Sequence, residues 1–549
     1  MRSRASVAFL VALAGAVLPA RAEESSKAVE PTMVIRLKSV DGIISDAKYL
    51  AGLAGQADKA AEADAAIQAL AGAKGLAGTG LDTSRPIAIY AIVGGGGLDS
   101  KGVVMLPVAN ETAFLEMLSD LVGRFGVTGK KDDEGVHTFA IPGAPIEVCI
   151  RFANKYAYVA AGLDAHSAIE PGNLLSPTSK SLTAGAGELI GLTFNIDRIP
   201  DSLKQIALSQ LQVGLAAAKD KKAPNETSAQ AAFKTQVLEL AFERIKMFLK
   251  QAGAADVKLV IDRAAGDISL QASLTGKPGT QLSREIADTS NRPTAFGGIN
   301  ADALKAALSL AVPEVLRQSL SAVVDEGIEQ AIQKEKDPTK KEFARKVLTA
   351  IGPTLKAGVL DATGGITGPN SAGHFTAFAA VQVRGGKGIE KALKDLTDKI
   401  PAKERDSLKL DAETIGGVSV HKVVPGAHLD AHARKLFGDE AAILVAFRPD
   451  AAFIVFGDPG ATATMKSLIE SKPGKAAGMI DVRGAIARLA RMDQDSGPKA
   501  QKAAEEVFGR NPRGNDIVSF RVEGGGAITV KFSLKADILK FGSRMHESK

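Results

Sequence analysis

Apolar positions along the chain follow two rhythms. Runs such as Gly102-Val103-Val104-Met105-Leu106, Tyr158-Val159-Ala160-Ala161 and Phe453-Ile454-Val455-Phe456 are continuously apolar or alternate with period two, which predicts β-strands. The stripe Phe114, Leu115, Leu118, Leu121 and Val122 recurs at helical spacing, which predicts an amphipathic helix with Asn110 as its N-cap. Many strands are separated only by short turns, so antiparallel pairing is expected, with helices laid on one face of the sheet. Gly266 and Gly524 to Gly526 stand where two hairpins must turn. The pattern predicts an α+β fold.

The same series of elements occurs twice. Strand Gly102 to Val108 leads into a helix ending Leu118-Ser119-Asp120-Leu121, and strand Ala377 to Val383 leads into one ending Leu393-Lys394-Asp395-Leu396. Gly135 to Phe139 matches Gly417 to His421. The pair Val148 to Phe152 and Tyr158 to Gly162 matches Ile443 to Phe447 and Phe453 to Gly457. Phe194-Asn195-Ile196 matches Ile480-Asp481-Val482, and Ile268 to Leu274 matches Ile528 to Leu534. Pro31-Thr32 and Pro293-Thr294 each precede a short strand and helix. A period of roughly 260 residues is domain-sized, far beyond a solenoid repeat. The expectation is two tandem copies of one domain, residues 23–289 and 290–549, each a mainly antiparallel sheet with helices on one face.

The first 22 residues read differently. Two arginines precede the apolar run Ala5 to Leu18, and Pro19-Ala20-Arg21-Ala22 offers small residues before Glu23, as a signal peptide with an A-x-A cleavage site does. An exported protein, periplasmic or secreted, is therefore expected. No later run is apolar for long enough to predict a transmembrane helix. Loss of three arginines with the leader takes Lys+Arg from 68 to 65 against 62 acids, leaving a formal charge of +3 rather than +6. That near-balance gives little drive toward nucleic acid. Trp is absent and Tyr occurs four times, so stacking platforms for bases are scarce too. One cysteine, Cys149, cannot form a disulfide within the chain and reads as a buried strand residue.

Motifs with chemistry are few. His421, His428 and His432 are the candidate metal ligands, accompanied by Asp430, Asp439 and Glu440. His428 and His432 are four apart, so a helix would put both imidazoles on one side, but the Glu of an H-E-x-x-H motif is missing. Arg384-Gly385-Gly386-Lys387-Gly388 follows a strand and opens a helix, yet lacks the Ser/Thr of a phosphate-binding loop. Ser45-Asp46-Ala47-Lys48 fits S-x-x-K without its companion K-T-G. Asp493 to Gly497 begins like a calcium loop, with its glycine one place early.

The phrase Arg434-Lys435-Leu436-Phe437-Gly438-Asp439 before a strand pair, with the leader and the strand–helix units, resembles an uncharacterised family of secreted bacterial proteins. The resemblance covers mainly the strand–helix–strand part of each copy and implies no activity, so it assigns no functional residue. The leading expectation is an exported, non-catalytic protein with a binding or structural role in the cell envelope, its partner an unidentified protein or envelope component, with no catalytic residue and no cofactor. Two alternatives stand beside it: a metal-assisted hydrolase using the second-copy histidines, and a carrier of an apolar ligand.

Overall fold

The computed structural model describes residues 30–547 except 71–74, 97–99, 124–126, 128, 141–145, 163, 222–225, 337, 398–404, 406, 427–428 and 493–496. The expected leader, His428 and most of the calcium-like loop therefore lie outside the described residues. The fold is a mixture of helices and antiparallel sheet. The chain divides into two compact units, one holding residues up to Leu211 with Lys246–Ser283 and Gly542–Glu547, the other Gln212–Ile245 and Arg284–Phe541.

In the first unit ten described strands pair antiparallel: β1 (Met33–Leu37), β2 (Ile87–Ile92), β3 (Lys101–Pro107), β4 (Gly129–Lys131), β5 (His137–Ala140), β6 (Glu147–Ala153), β7 (Tyr156–Gly162), β8 (Glu188–Asn195), β9 (Ala252–Asp262) and β10 (Asp267–Gly276). Their pairing order is β4-β5-β6-β7-β3-β2-β1-β8-β9-β10. Helices α1 (Val40–Leu53), α2 (Glu111–Gly123) and α3 (Ala165–Ala168) contribute to its core or its ion pairs. Asn110 caps α2 as expected, its side-chain oxygen accepting the Ala113 N–H at 3.0 Å. Gly266, at φ +61°, makes the β9–β10 turn that its position in the sequence predicts.

Core packing departs from the expected single covered face. Val103, Met105, Tyr158 and Ala160 pack with Ala165, Ala168 and Ile169 on one side of the sheet. Ala157 and Ile150, which point the other way, pack with Phe114 and Leu118 of α2. Helices thus lie on both faces. The reason is in the strands: β7 is apolar at consecutive positions, so neither face can be left to water without cost.

The second unit holds β11 (Pro293–Gly297), β12 (Leu304–Ala311), β13 (Val359–Thr367), β14 (Thr376–Gln382), β15 (Leu408–Ile415), β16 (Val418–Val423), β17 (Ala442–Phe447), β18 (Ala451–Gly457), β19 (Lys472–Lys475), β20 (Ile480–Ala485), β21 (Ile517–Glu523) and β22 (Ile528–Lys535). Ten of them pair antiparallel in the order β15-β16-β17-β18-β14-β13-β12-β20-β21-β22. Position for position this repeats the order of the first unit. The starts do not align at the prolines, however. β11, which begins at Pro293, pairs with β19 outside the main sheet, and the strand in the place of β1 is β12.

Here too helices lie on both faces. Those used below are α4 (Gly386–Thr397), α5 (Ala431–Phe437), α6 (Ala461–Ile469), α7 (Ile486–Leu489) and α8 (Gly497–Phe508). Met465 and Leu468 of α6 pack on Phe453, Val455 and Phe378. On the opposite face α4 covers the β16–β17 end, where His421 meets Glu390.

Candidate functional site

The middle of that second face stays open. Along β14 and β18, Phe378, Ala380, Phe453 and Val455 are buried, while the intervening Ala379, Val381 and Ile454 are exposed, Ile454 to 46%. An antiparallel sheet ordinarily shows polar residues on a face it gives to solvent. This one does not. The register joins His421, Val445, Ile454, Ala379, Gly364, Ala306, Val482, Phe520 and Phe532 into one lane across nine strands. Phe520 and Phe532 close it as a half-exposed cross-strand pair. Over β18, β14, β13, β12 and β20 the face forms a concave trough of about 580 Å³, walled by Ala, Gly, Val and Ile. Small residues along its floor leave room where larger ones would fill it. This apolar lane is the candidate binding surface of the second unit.

At one end of the lane lies the only group of metal-ligand type among the described residues, Glu390, Asp411 and His421. His421 stands on β16 and is 1% exposed. The register slip in β15 between Lys409 and Glu413, with Asp411 at φ +47°, turns the Asp411 N–H toward it. That N–H donates to His421 Nδ1 at 3.1 Å, so a neutral ring carries its proton on Nε2, 3.4 Å from Glu390 Oε1. Burial holds the imidazole below its usual range, against the opposing pull of Asp411 and Glu390. For Glu390 burial works upward, but hydrogen bonds from Lys387 and Lys394 outweigh it and hold the carboxyl below its ordinary value. Lys387 Nζ lies 2.8 Å from Glu390, and Lys394 Nζ bridges Glu390 at 3.1 Å and Asp411 at 2.8 Å. Two ammoniums thus already neutralise the two carboxylates. A metal ion would have to displace Lys394.

Of the three histidines named from sequence, His421 is in this group and His432 is exposed on α5, outside it. The partners of His421 were not legible, because Glu390 and Asp411 are brought in from a helix and a bulged strand. No known family, curated protein or solved structure matches this chain. The S-x-x-K residues are engaged in ion pairs and a hydrogen bond. Buried Asp46 accepts from Lys38 at 2.7 Å and from Arg263, Ser45 Oγ accepts from Arg263 at 2.8 Å, and Lys48 pairs with Asp64. Cys149 is fully buried on β6, and burial pushes its thiol upward, away from nucleophilic use. No helix of the described residues is long and apolar enough to cross a membrane.

Proposed function

We propose that this is an exported, non-catalytic binding protein, periplasmic or secreted after loss of residues 1–22, built from two tandem copies of one α+β domain (23–289 and 290–549). Its ligand is an apolar molecule of acyl-chain type, seated in the trough of the second copy. The matched strand order of the two units supports the duplication. The carrying observation for the ligand is the open apolar face centred on Ala379 and Ile454, where a soluble sheet would show polar side chains. A volume of about 580 Å³ suits a small molecule, since ligand sites commonly run to about 300–1,000 Å³. The hydrolase reading is weaker, because lysine ammoniums stand where a catalytic cation would sit.

The test is solvent extraction of the mature protein purified from its native envelope, with mass spectrometry of what is released. An acyl-chain compound in near-stoichiometric amount, lost in Ile454→Asp, is the expected result. An empty protein that instead retains one polypeptide partner through the same face would replace the small-molecule reading.

A further inference from the structure

On the side of the sheet opposite Val482, at the far end of β20, a second cavity of about 720 Å³ has the contrary character. Four arginines line it: Arg483 from β20, Arg488 from α7, Arg491 just beyond α7, and Arg510 from the turn after α8. Among the described residues only Arg488 has an acidic partner, Asp302 at 2.9 Å. Among the described residues Arg483, Arg491 and Arg510 form no ion pair. The other lining acid, Asp516, is buried and accepts the Ala487 N–H at 3.2 Å, which fixes the start of α7 instead of neutralising a guanidinium. Lys305 is the cross-strand neighbour of Arg483 and adds a further cation to that face. Four arginines against two aspartates leave the lining with a formal charge of +2.

Arg483, Arg491 and Arg510 are exposed, so water screens part of their mutual repulsion, and an anion that joins them relieves the rest. We propose that this cavity binds a phosphoryl group. Guanidinium forks donate two parallel hydrogen bonds each and match phosphate oxygens in geometry and charge. Several forks exceed what the two oxygens of one carboxylate can accept, whereas a tetrahedral oxyanion can serve them all. The Ala303, Ala485 and Ala487 side chains in the wall are small, so the guanidinium groups are not crowded out of the space. The site is separate from the apolar trough and does not depend on it.

Isothermal titration of the mature full chain with inorganic phosphate, with glycerol phosphate, and with vesicles of phosphatidic acid in phosphatidylcholine tests this at constant ionic strength. Saturable binding of at least one probe is expected. A charged hydrogen bond is commonly lost at a cost of about 10–100-fold in affinity, so Arg491→Gln and Arg510→Gln should each weaken binding by that order. Arg491→Lys should fall between, keeping the charge without the fork. Ile454→Asp should leave phosphate binding unchanged. Vesicle binding that Arg491→Gln weakens, without soluble-ester binding, identifies a lipid headgroup as the source, and soluble-ester binding without vesicle binding identifies a free phosphate ester. Vesicle binding weakened by Ile454→Asp but not by Arg491→Gln belongs to the apolar trough and counts against the proposal. Binding of no probe, or binding unaltered in the Arg491→Gln, Arg510→Gln double variant with its fold intact by circular dichroism, overturns the proposal.

Discussion

Adjacent residues on β18 provide the sharpest test of which face is core and which is surface. Phe453 is 2% exposed and packs against α6, whereas Ile454, one residue on, is 46% exposed between Val445 and Ala379. Phe453→Ala removes a buried ring and leaves a cavity, at a cost of about 3–5 kcal/mol. With roughly 2–4 °C of Tm per kcal/mol for a domain of this size, the melting temperature should fall by about 6–20 °C. In Ile454→Asp the new carboxylate remains in water. The loss is confined to strand preference and the partial burial of isoleucine, together about 1–2 kcal/mol, or roughly 2–8 °C. Thermal unfolding followed by circular dichroism, on protein stripped of bound apolar compounds, measures both. Were the face a closed core, Ile454→Asp would bury an unpaired charge and cost several kcal/mol. Equal damage from the two substitutions would refute the assignment of faces.

Other consequences follow from the buried polar groups. His421 titrates below 6.5 in the folded protein, so the unfolded chain takes up its proton first. Stability should decline as pH drops below about 6.5 and level off below the folded value, and His421→Asn should abolish that step in denaturant midpoints measured against pH. Glu390, held below 4.5, adds a separate loss as pH falls through its folded value, which Glu390→Gln should remove. Arg36 donates to Glu188 at 2.9 Å with both side chains buried, so Arg36→Ala strands a carboxylate and should cost about 3–5 kcal/mol in urea unfolding. Adding Glu188→Gln to that variant should recover part of the loss.

Much of the fold was legible in the chain. Apart from the starts, every strand pair quoted from the repeated series occupies a corresponding place in the two pairing orders, and Asn110 and Gly266 do what their positions predict. The helix arrangement was not legible. Runs such as Ala451 to Phe456 are apolar on both faces, and a sequence of that kind cannot say which face is covered, by what, or how far. The starts misaligned because Pro293 marks a strand that leaves the main sheet, something that depends on its distant partner β19. Of the candidate sites, His421 was found by residue type alone, while its partners came from elements set by the fold. The arginine cavity left no local signal, since its four cations are spread from Arg483 to Arg510 and converge only through β20, α7 and the turn after α8.

An apolar ligand lying across Ala379 and Ile454 would take a reporter placed there out of water. Cys149 is fully buried, so a solvatochromic thiol dye can be directed to Ala379→Cys in the mature chain. A second protein carries the dye at Lys391→Cys, on the solvent side of α4, where Lys391 is 76% exposed. Titration with oleate should shift the emission of the Ala379→Cys label to the blue with saturation, and leave the Lys391→Cys label unmoved. No shift at Ala379→Cys, or the same shift at both positions, would contradict the claim that this face is the binding site.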